Sequence, residues 1–216
     1  MAQETTPPLL VLRDALVAHG PSAPPVLKDF NLSLRPEERV GLVGPVGSGK
    51  TTLLLTLVGL IPLRQGSLLF QGRPVRTKAD LAALRRNVGL VFQNPDDQLF
   101  SPTVLEDVAF GPLNLGRSQS EARAESLAIL DKLNLSHLAH RQPHTLSGGQ
   151  KRLVSLATVL VMKPQALLLD EPTNDLDARS RDMVLQILTT TPHAMLIASH
   201  DLELLDLLTT RRLVLG

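Results

Sequence analysis

The feature that most constrains this chain is the run Gly-Pro-Val-Gly-Ser-Gly-Lys-Thr at residues 44–51, which matches the pattern G-x-x-x-x-G-K-[ST]. A short apolar run at residues 39–43 precedes it, and residues 51–60 are typical of a helix. Small residues let backbone N–H groups turn inward around phosphate oxygens, and the start of a helix adds a favourable dipole. The run therefore predicts a loop that binds nucleotide phosphates.

Within this loop we expect Lys50 to neutralise β- and γ-phosphate oxygens, and the Thr51 hydroxyl to bind Mg²⁺. The alternative, a glycine turn with a chance lysine, does not account for both the spacing and the flanking strand and helix. The predicted nucleotide-binding residues are Gly44, Pro45, Val46, Gly47, Ser48, Gly49, Lys50, Thr51 and Thr52.

Two carboxylates, Asp170 and Glu171, follow the apolar run at residues 166–169. Asp170 is placed to hold Mg²⁺ through water, and Glu171 to deprotonate the attacking water, help that is worth roughly 10²–10⁴-fold. His200 follows the apolar run at residues 194–198 and is a candidate contact to the γ-phosphate. Alone, an acidic pair can start a solvated loop and a histidine can be structural. The phosphate loop in the same chain favours the catalytic interpretation.

The apolar runs at residues 88–92, 166–169, 194–198 and 213–215 are continuous, which predicts strands buried on both faces of a parallel sheet. Residues 9–17 and 26–34 predict two earlier strands. Helices are expected between the strands, so the fold class is α/β. Residues 121–133 predict a helix with Ala124, Leu127, Leu130 and Leu133 on its apolar stripe, and residues 177–189 predict another. Residues 95–143 contain no core strand, which indicates an inserted helical subdomain.

The composition narrows the function class. The chain has 216 residues, which is enough for one domain. Its formal net charge is +1, so the charge balance gives no long-range electrostatic attraction to nucleic acid. It has no cysteine, which excludes a disulfide framework or a thiolate metal site and suits the cytosol. The most apolar candidate for a membrane span, residues 51–63, is far short of the ~20 residues that a spanning helix needs.

The sequence Leu-Ser-Gly-Gly-Gln at residues 146–150 opens a predicted helix that runs to about residue 162. Ser147 and Gln150 form a capping-box pattern, which is by itself enough to explain a helix start. Gly148 and Gly149 destabilise that start by about 1 kcal/mol each relative to alanine. Their presence makes sense if a ligand approaches the backbone closely, since a helix N-terminus binds anions.

Together these motifs resemble those of ABC ATPases. Residues 44–51, Gln93, residues 146–150, residues 167–171, residues 174–177 and His200 follow the order of the Walker A loop, Q-loop, signature, Walker B, D-loop and H-loop. The resemblance implies one ABC-type nucleotide-binding domain over residues 1–216. Its expected parts are a RecA-like core with a mainly parallel sheet, an antiparallel β-subdomain, and an inserted helical subdomain at about residues 95–160.

The resemblance also implies roles and partners. ATP and Mg²⁺ are the expected cofactors, with Thr51, Gln93 and Asp170 as magnesium contacts and Glu171, His200 and Gln93 as catalytic residues. In the family, the signature of one subunit closes over ATP bound to the other, which implies a homodimer or a heterodimer with a paralogous ATPase. The residues expected to contact the partner's ATP are Ser147, Gly148, Gly149 and Gln150.

A narrower resemblance lies in residues 91–100 and 102–111, which look like the ATPases of energy-coupling-factor and cobalt/nickel uptake systems. It implies a transmembrane coupling protein, a substrate-capture membrane protein, and a peripheral position on the cytoplasmic face of the cell membrane. We expect Asp96, Asp97 and Phe100 to meet the coupling protein. The alternative is a soluble ABC ATPase acting on nucleic acid or ribosomes. It is less favoured, because such proteins usually carry two cassettes or a long coiled coil.

Three departures from the family pattern stand out. Val46 occupies a position where the family often has asparagine, and Leu153 one where a basic residue is expected. The chain has no tyrosine or tryptophan to stack on adenine. His19 lies at roughly the position of that missing aromatic ring and is the expected substitute.

Overall fold

The computed structural model describes residues 7–19 and 23–216. Its strands are β1 (Leu10–Val17), β2 (Leu27–Leu34), β3 (Arg39–Val43), β4 (Gln65–Phe70), β5 (Arg73–Pro74), β6 (Val88–Val91), β7 (Ala166–Asp170), β8 (Ala194–Ala198) and β9 (Arg211–Val214). Its helices are α1 (Lys50–Leu57), α2 (Lys78–Asn87), α3 (Val104–Asn114), α4 (Gln119–Lys132), α5 (Gly148–Leu160), α6 (Ala178–Thr190) and α7 (Leu202–Leu208). Short 3-10 turns lie at Pro95–Asp97, Ser136–Leu138 and Pro143–Thr145.

The strands form two sheets, and the predicted α/β class is confirmed. One sheet has the order β2-β1-β4-β5, with antiparallel pairing of β1 with β2 and β4, and of β4 with β5. The other has the order β6-β7-β8-β3-β9, with parallel pairing of β7 with β8 and of β3 with both β8 and β9. Because β3, β8 and β7 are parallel neighbours, the segments that follow them leave the sheet at the same edge.

Burial follows the position of each strand in its sheet. Every residue of β7 and β8 is buried, as their continuous apolar runs predict. The prediction of a buried strand at residues 213–215 is wrong in part, because β9 is an edge strand that starts at Arg211 and alternates in burial. Val214 is therefore 76% exposed.

The chain divides into two compact units. The first comprises the described parts of residues 1–90 with Gln165–Asp170 and His193–Gly216. Its apolar core joins both sheets to α1, through residues such as Leu12, Leu42, Leu53, Leu168 and Leu196. The second unit comprises Val91–Pro164 and Glu171–Pro192, where α3 packs against α4 and α5, and α5 against α6. No helix in the described part of the chain is long and apolar enough to cross a bilayer.

The predicted apolar stripe of α4 is partly wrong. The buried face carries Ala122, Ser126 and Leu130, while Ala124 and Leu127 are exposed. A serine fits on the buried face because its hydroxyl donates to the Ala122 carbonyl at 2.7 Å and is thereby satisfied.

Candidate nucleotide site

The first unit carries the phosphate loop, between β3 and α1. Gly49 precedes α1 with φ +95°, and a Cβ there would lie 2.7 Å from Val26 Cγ1, so glycine is required on both grounds. The Lys50 ammonium lies along the loop and donates to the carbonyls of Gly44 (2.7 Å) and Pro45 (3.2 Å). The buried Ser48 hydroxyl makes no hydrogen bond within the described residues. These polar groups suit an anionic ligand in the loop.

Asp170 ends β7 and is only 3% exposed. The Thr51 hydroxyl donates to its Oδ2 at 2.7 Å, which joins the start of α1 to the end of β7. A hydroxyl and a carboxylate are hard oxygen ligands that fit Mg²⁺, an ion that proteins often hold with one or two carboxylates and substrate phosphates. In the described ranges, no three or more acidic, histidine or cysteine residues are grouped so that they could hold a metal ion by themselves.

Two histidines belong to the same unit. His19 is exposed, and its Nε2 lies 3.1 Å from the hydroxyl of the buried Thr52. The predicted substitute for the aromatic ring therefore contacts the phosphate-loop helix. His200 follows β8 and is exposed. Since β8 lies between β7 and β3, His200, Asp170 and the phosphate loop all follow the carboxyl ends of neighbouring parallel strands.

The second unit carries Glu171, whose backbone has φ +44°. This left-handed conformation is unusual for a residue with a side chain, and such conformations cluster at functional sites. Glu171 is 8% exposed, and Asp175 in the following turn also has a positive φ of +57°. No local sequence pattern marks this backbone conformation.

The signature residues start α5 as predicted. The Ser147 hydroxyl accepts the Gln150 N–H at 3.3 Å, and the Ser147 N–H donates to Gln150 Oε1 at 3.1 Å. Gly148 is exposed with open space where a Cβ would be, whereas Gly149 is buried against Ser180 of α6. The two glycines therefore have different surroundings.

Asp177 caps α6 by accepting the Ser180 N–H at 3.0 Å and the Ser180 hydroxyl at 2.8 Å. The Ser180 amide and then its hydroxyl hold the pKa of Asp177 below its usual range. This residue ends the motif at residues 174–177, so that motif leads directly into the helix that packs on Gly149.

Gln93 is exposed and follows β6. Sequence reasoning missed two residues that hold the backbone beside it, Arg152 and Gln98. Arg152 donates to the carbonyls of Phe92 and Gln93, and Gln98 accepts the Phe92 N–H. A signal was available, because Arg152 is a charged residue within the apolar run of α5 and must find partners when buried.

Asp96, which we expect to meet a partner protein, also has a contact within the chain. Its carboxylate already forms an ion pair with Lys151 of the same chain, at 2.6 Å. Asp97 and Phe100 are exposed, and the Phe100 ring meets the Phe110 ring edge-on with centroids 5.0 Å apart.

The comparisons with known proteins agree with this geometry. The family described as ABC transporter matches residues 27–174. A Brucella suis protein described as an ABC transporter ATP-binding protein is 54% identical over 190 residues, which cover 88% of this chain and 79% of that protein. The energy-coupling factor transporter ATP-binding protein EcfA of Methanothermobacter thermautotrophicus is 42% identical over 212 residues, covering 96% of this chain and 68% of the relative.

Solved structures show the same fold. The Clostridium perfringens protein cbiO1, part of the ABC transporter complex cbiONQ, has a TM-score of 0.83 and 31% identity, covering 97% of this chain and 85% of its own. The ATP-binding cassette MJ0796, a dimer bound to ADP and Pi, has a TM-score of 0.85 and 26% identity, covering 96% of this chain and 94% of its own. The chain therefore belongs to the ABC transporter family, as an ATP-binding subunit that hydrolyses ATP.

Proposed function

We propose that this ATPase energises an uptake transporter of the energy-coupling-factor type, for a metal ion such as cobalt or nickel or for a vitamin. The observation that carries the proposal is the resemblance of residues 91–100 and 102–111 to that group, together with the similarity to EcfA and to cbiO1. In this role the subunit binds peripherally to the cytoplasmic face of the membrane. Its partners are a transmembrane coupling protein and a substrate-capture protein.

The proposed chemistry assigns one task to each polar group. Lys50 neutralises phosphate charge, and Thr51 and Asp170 hold Mg²⁺, with Gln93 as a further contact. When bound there, the ion would supply positive charge that neutralises phosphate charge. Glu171 takes the proton of the attacking water, and His200 donates a hydrogen bond to the γ-phosphate. The 2.7 Å contact between Thr51 and Asp170 supports the magnesium assignment.

The proposed working form is a dimer. Ser147 and Gly148 are exposed at the start of α5, and the missing side chain of Gly148 leaves the helix N-terminus open. That end of a helix attracts anions, which suits the γ-phosphate of ATP bound to a second subunit. The dimeric cassettes among the solved relatives support this arrangement.

The proposed contact with the coupling protein centres on Phe100 and Asp97. Phe100 is 65% exposed and Phe110 is 49% exposed, so the ring pair presents an apolar anchor on the surface. Asp97, three residues before Phe100 in the chain, adds an exposed charge that can pair with a basic residue of the partner. Asp96 is left out of this surface because Lys151 holds its carboxylate.

The experiment compares Phe100→Ala and Asp97→Lys as isolated ATPases and in the membrane complex. We expect near-normal ATP hydrolysis in isolation, with assembly or transport lost, because only the docking anchor is removed. Leu127→Ala, an exposed apolar residue of α4, is the control and should keep both activities. Normal transport by both docking variants, or an equal loss of hydrolysis in isolation, contradicts the proposed surface.

A further inference from the structure

We propose that Arg85 of α2 is a positioning residue for the two magnesium contacts, Thr51 and Asp170. It acts at a distance from them, at the place where α2 joins the end of α1 to the start of β7. The inference rests on the proposed magnesium assignment and deepens it. All of the residues that carry it belong to the first unit.

The two magnesium contacts lie where α1 begins and where β7 ends. Thr51 is in the first turn of α1, and Asp170 is the last residue of β7. Because α1 packs against β7, the 2.7 Å hydrogen bond between these two side chains depends on how the helix lies along the strand. The opposite ends of the two elements, at Leu57 and Ala166, are therefore places from which this geometry can be set.

Arg85 holds the end of α1. Its Nε donates to the carbonyl of Val58 at 2.8 Å, and its Nη2 donates to the carbonyl of Gly59 at 2.9 Å. The last carbonyls of a helix have no partners within the helix, and a cation there forms charge-assisted hydrogen bonds and complements the helix dipole. A planar guanidinium that meets two successive carbonyls restricts the direction of the helix end as well as its distance.

Leu81 adds an apolar contact to the same helix end. A Cβ on Gly59 would lie 2.2 Å from Leu81 Cδ2, so the leucine side chain lies directly on the glycine. Leu81 also packs against the apolar core that contains Leu57. Positions 81 and 85 are one turn apart and share a face of α2. This face of α2 therefore meets the end of α1 through an apolar and a polar contact side by side.

The end of α2 is itself fastened to the start of β7. The Gln165 N–H donates to the carbonyl of Asn87, the last residue of α2, at 2.7 Å. The Gln165 side chain adds a second bond, from its Nε2 to Asn87 Oδ1, at 2.9 Å. Gln165 directly precedes β7, and β6, which follows α2, lies beside β7 in the sheet. Through Arg85, the end of α1 is therefore fixed relative to the strand that carries Asp170.

The plain alternative is an ordinary helix cap, which stabilises α1 and has no bearing on magnesium. The two explanations differ in what depends on the metal. A cap contributes to the free energy of unfolding whether or not nucleotide is present. A positioning contact sets the alignment of Thr51 with Asp170, and contacts that orient metal ligands change metal affinity when they are removed.

The test is the affinity of the isolated chain for adenylyl imidodiphosphate, a non-hydrolysable ATP analogue, measured by calorimetry with magnesium and again with a chelator. Arg85→Leu should raise the Kd about threefold to tenfold with magnesium, because α1 is released from β7. With the chelator the Kd should stay within about twofold of that of the original chain, since the phosphate loop itself is unchanged. Arg85→Lys keeps the charge without the fork of donors and should show a smaller rise.

Arg86→Leu is the matched control, because it removes the same charge from the next position of α2, which is also exposed. It should leave the Kd unchanged under both conditions. No change in Arg85→Leu, or an equal loss with magnesium and with the chelator, overturns the positioning role and leaves the magnesium assignment standing. If magnesium does not tighten binding to the original chain, the magnesium assignment is wrong and the positioning role is overturned with it.

Discussion

At the scale of single residues, the two neighbouring glycines of the signature show that the same residue type can be required for different reasons. Both were expected to admit a ligand, and only Gly148 has open space around its missing Cβ. At Gly149 a Cβ would lie 2.5 Å from Ser180 Cβ and closer still to its hydroxyl oxygen. The absence of a side chain at Gly149 is therefore required by α6 of the same chain.

This difference gives a first prediction. Gly149→Ala should lower the free energy of unfolding by about 1–3 kcal/mol through overpacking against Ser180, and should reduce ATP hydrolysis. The second-site change Ser180→Gly should recover part of both losses in the double variant, because it removes both overlapping atoms. Thermal unfolding and ATPase rates provide the measurements.

Gly148→Ala is the matched control. Its free energy of unfolding should stay within about 0.5 kcal/mol of that of the original chain, because the position is exposed and lies away from packed side chains. Any gain in helix propensity from alanine adds to this. Its hydrolysis should still fall if ATP of a second subunit approaches there. Equal stability of Gly149→Ala and the original chain would show that Ser180 does not constrain the signature.

His19 gives a second prediction at this scale. A ring stacked on a base is worth ~1–3 kcal/mol in nucleic-acid sites, and a larger ring should supply more of it. His19→Tyr should therefore tighten ATP binding as measured by calorimetry, since His19 already touches Thr52. Unchanged or weaker binding by His19→Tyr would place His19 outside the nucleotide site.

At the scale of elements, the buried strands were the most predictable parts. Continuous apolar runs located β3, β7 and β8 to within a residue, because both faces of a central parallel strand are buried. The edge strand β9 and the exposed residues of α4 were less predictable, because tertiary packing decides which face of an element is covered. Periodicity shows reliably that a helix has an apolar stripe. It shows less reliably which of two overlapping stripes is buried.

Helix α2 was missed although a local signal for it exists. The Thr77 hydroxyl accepts the Asp80 N–H, and the Asp80 carboxylate accepts the Thr77 N–H. This capping box is indicated by the sequence pattern T-x-x-D. Strands β4 and β5 carry little signal, because Gln65, Gly66 and Ser67 open β4 with polar or small residues. The hydrogen bonds that join residues 92–98 to α5 connect positions about sixty residues apart, so no local pattern marks them.

At the scale of the whole molecule, the chain holds one phosphate loop and one signature, in different units. The phosphate loop, Asp170 and His200 belong to the first unit, and Glu171, Gln93 and Ser147 to the second. Family membership accounts for ATP binding and hydrolysis. The central proposal is that ATP joins two subunits, with the open helix N-terminus at Gly148 facing nucleotide on the second subunit.

The measurement that tests this most directly is the molar mass and ATPase rate of Glu171→Gln with ATP and magnesium. Removing the base should slow hydrolysis by roughly 10²–10⁴-fold while leaving the phosphate loop intact, so ATP stays bound. Light scattering should then give a dimer with ATP and a monomer with ADP. Lys50→Ala should lose nucleotide binding and the dimer together. Hydrolysis by Glu171→Gln at the original rate, or a mass that does not depend on ATP, would contradict the account.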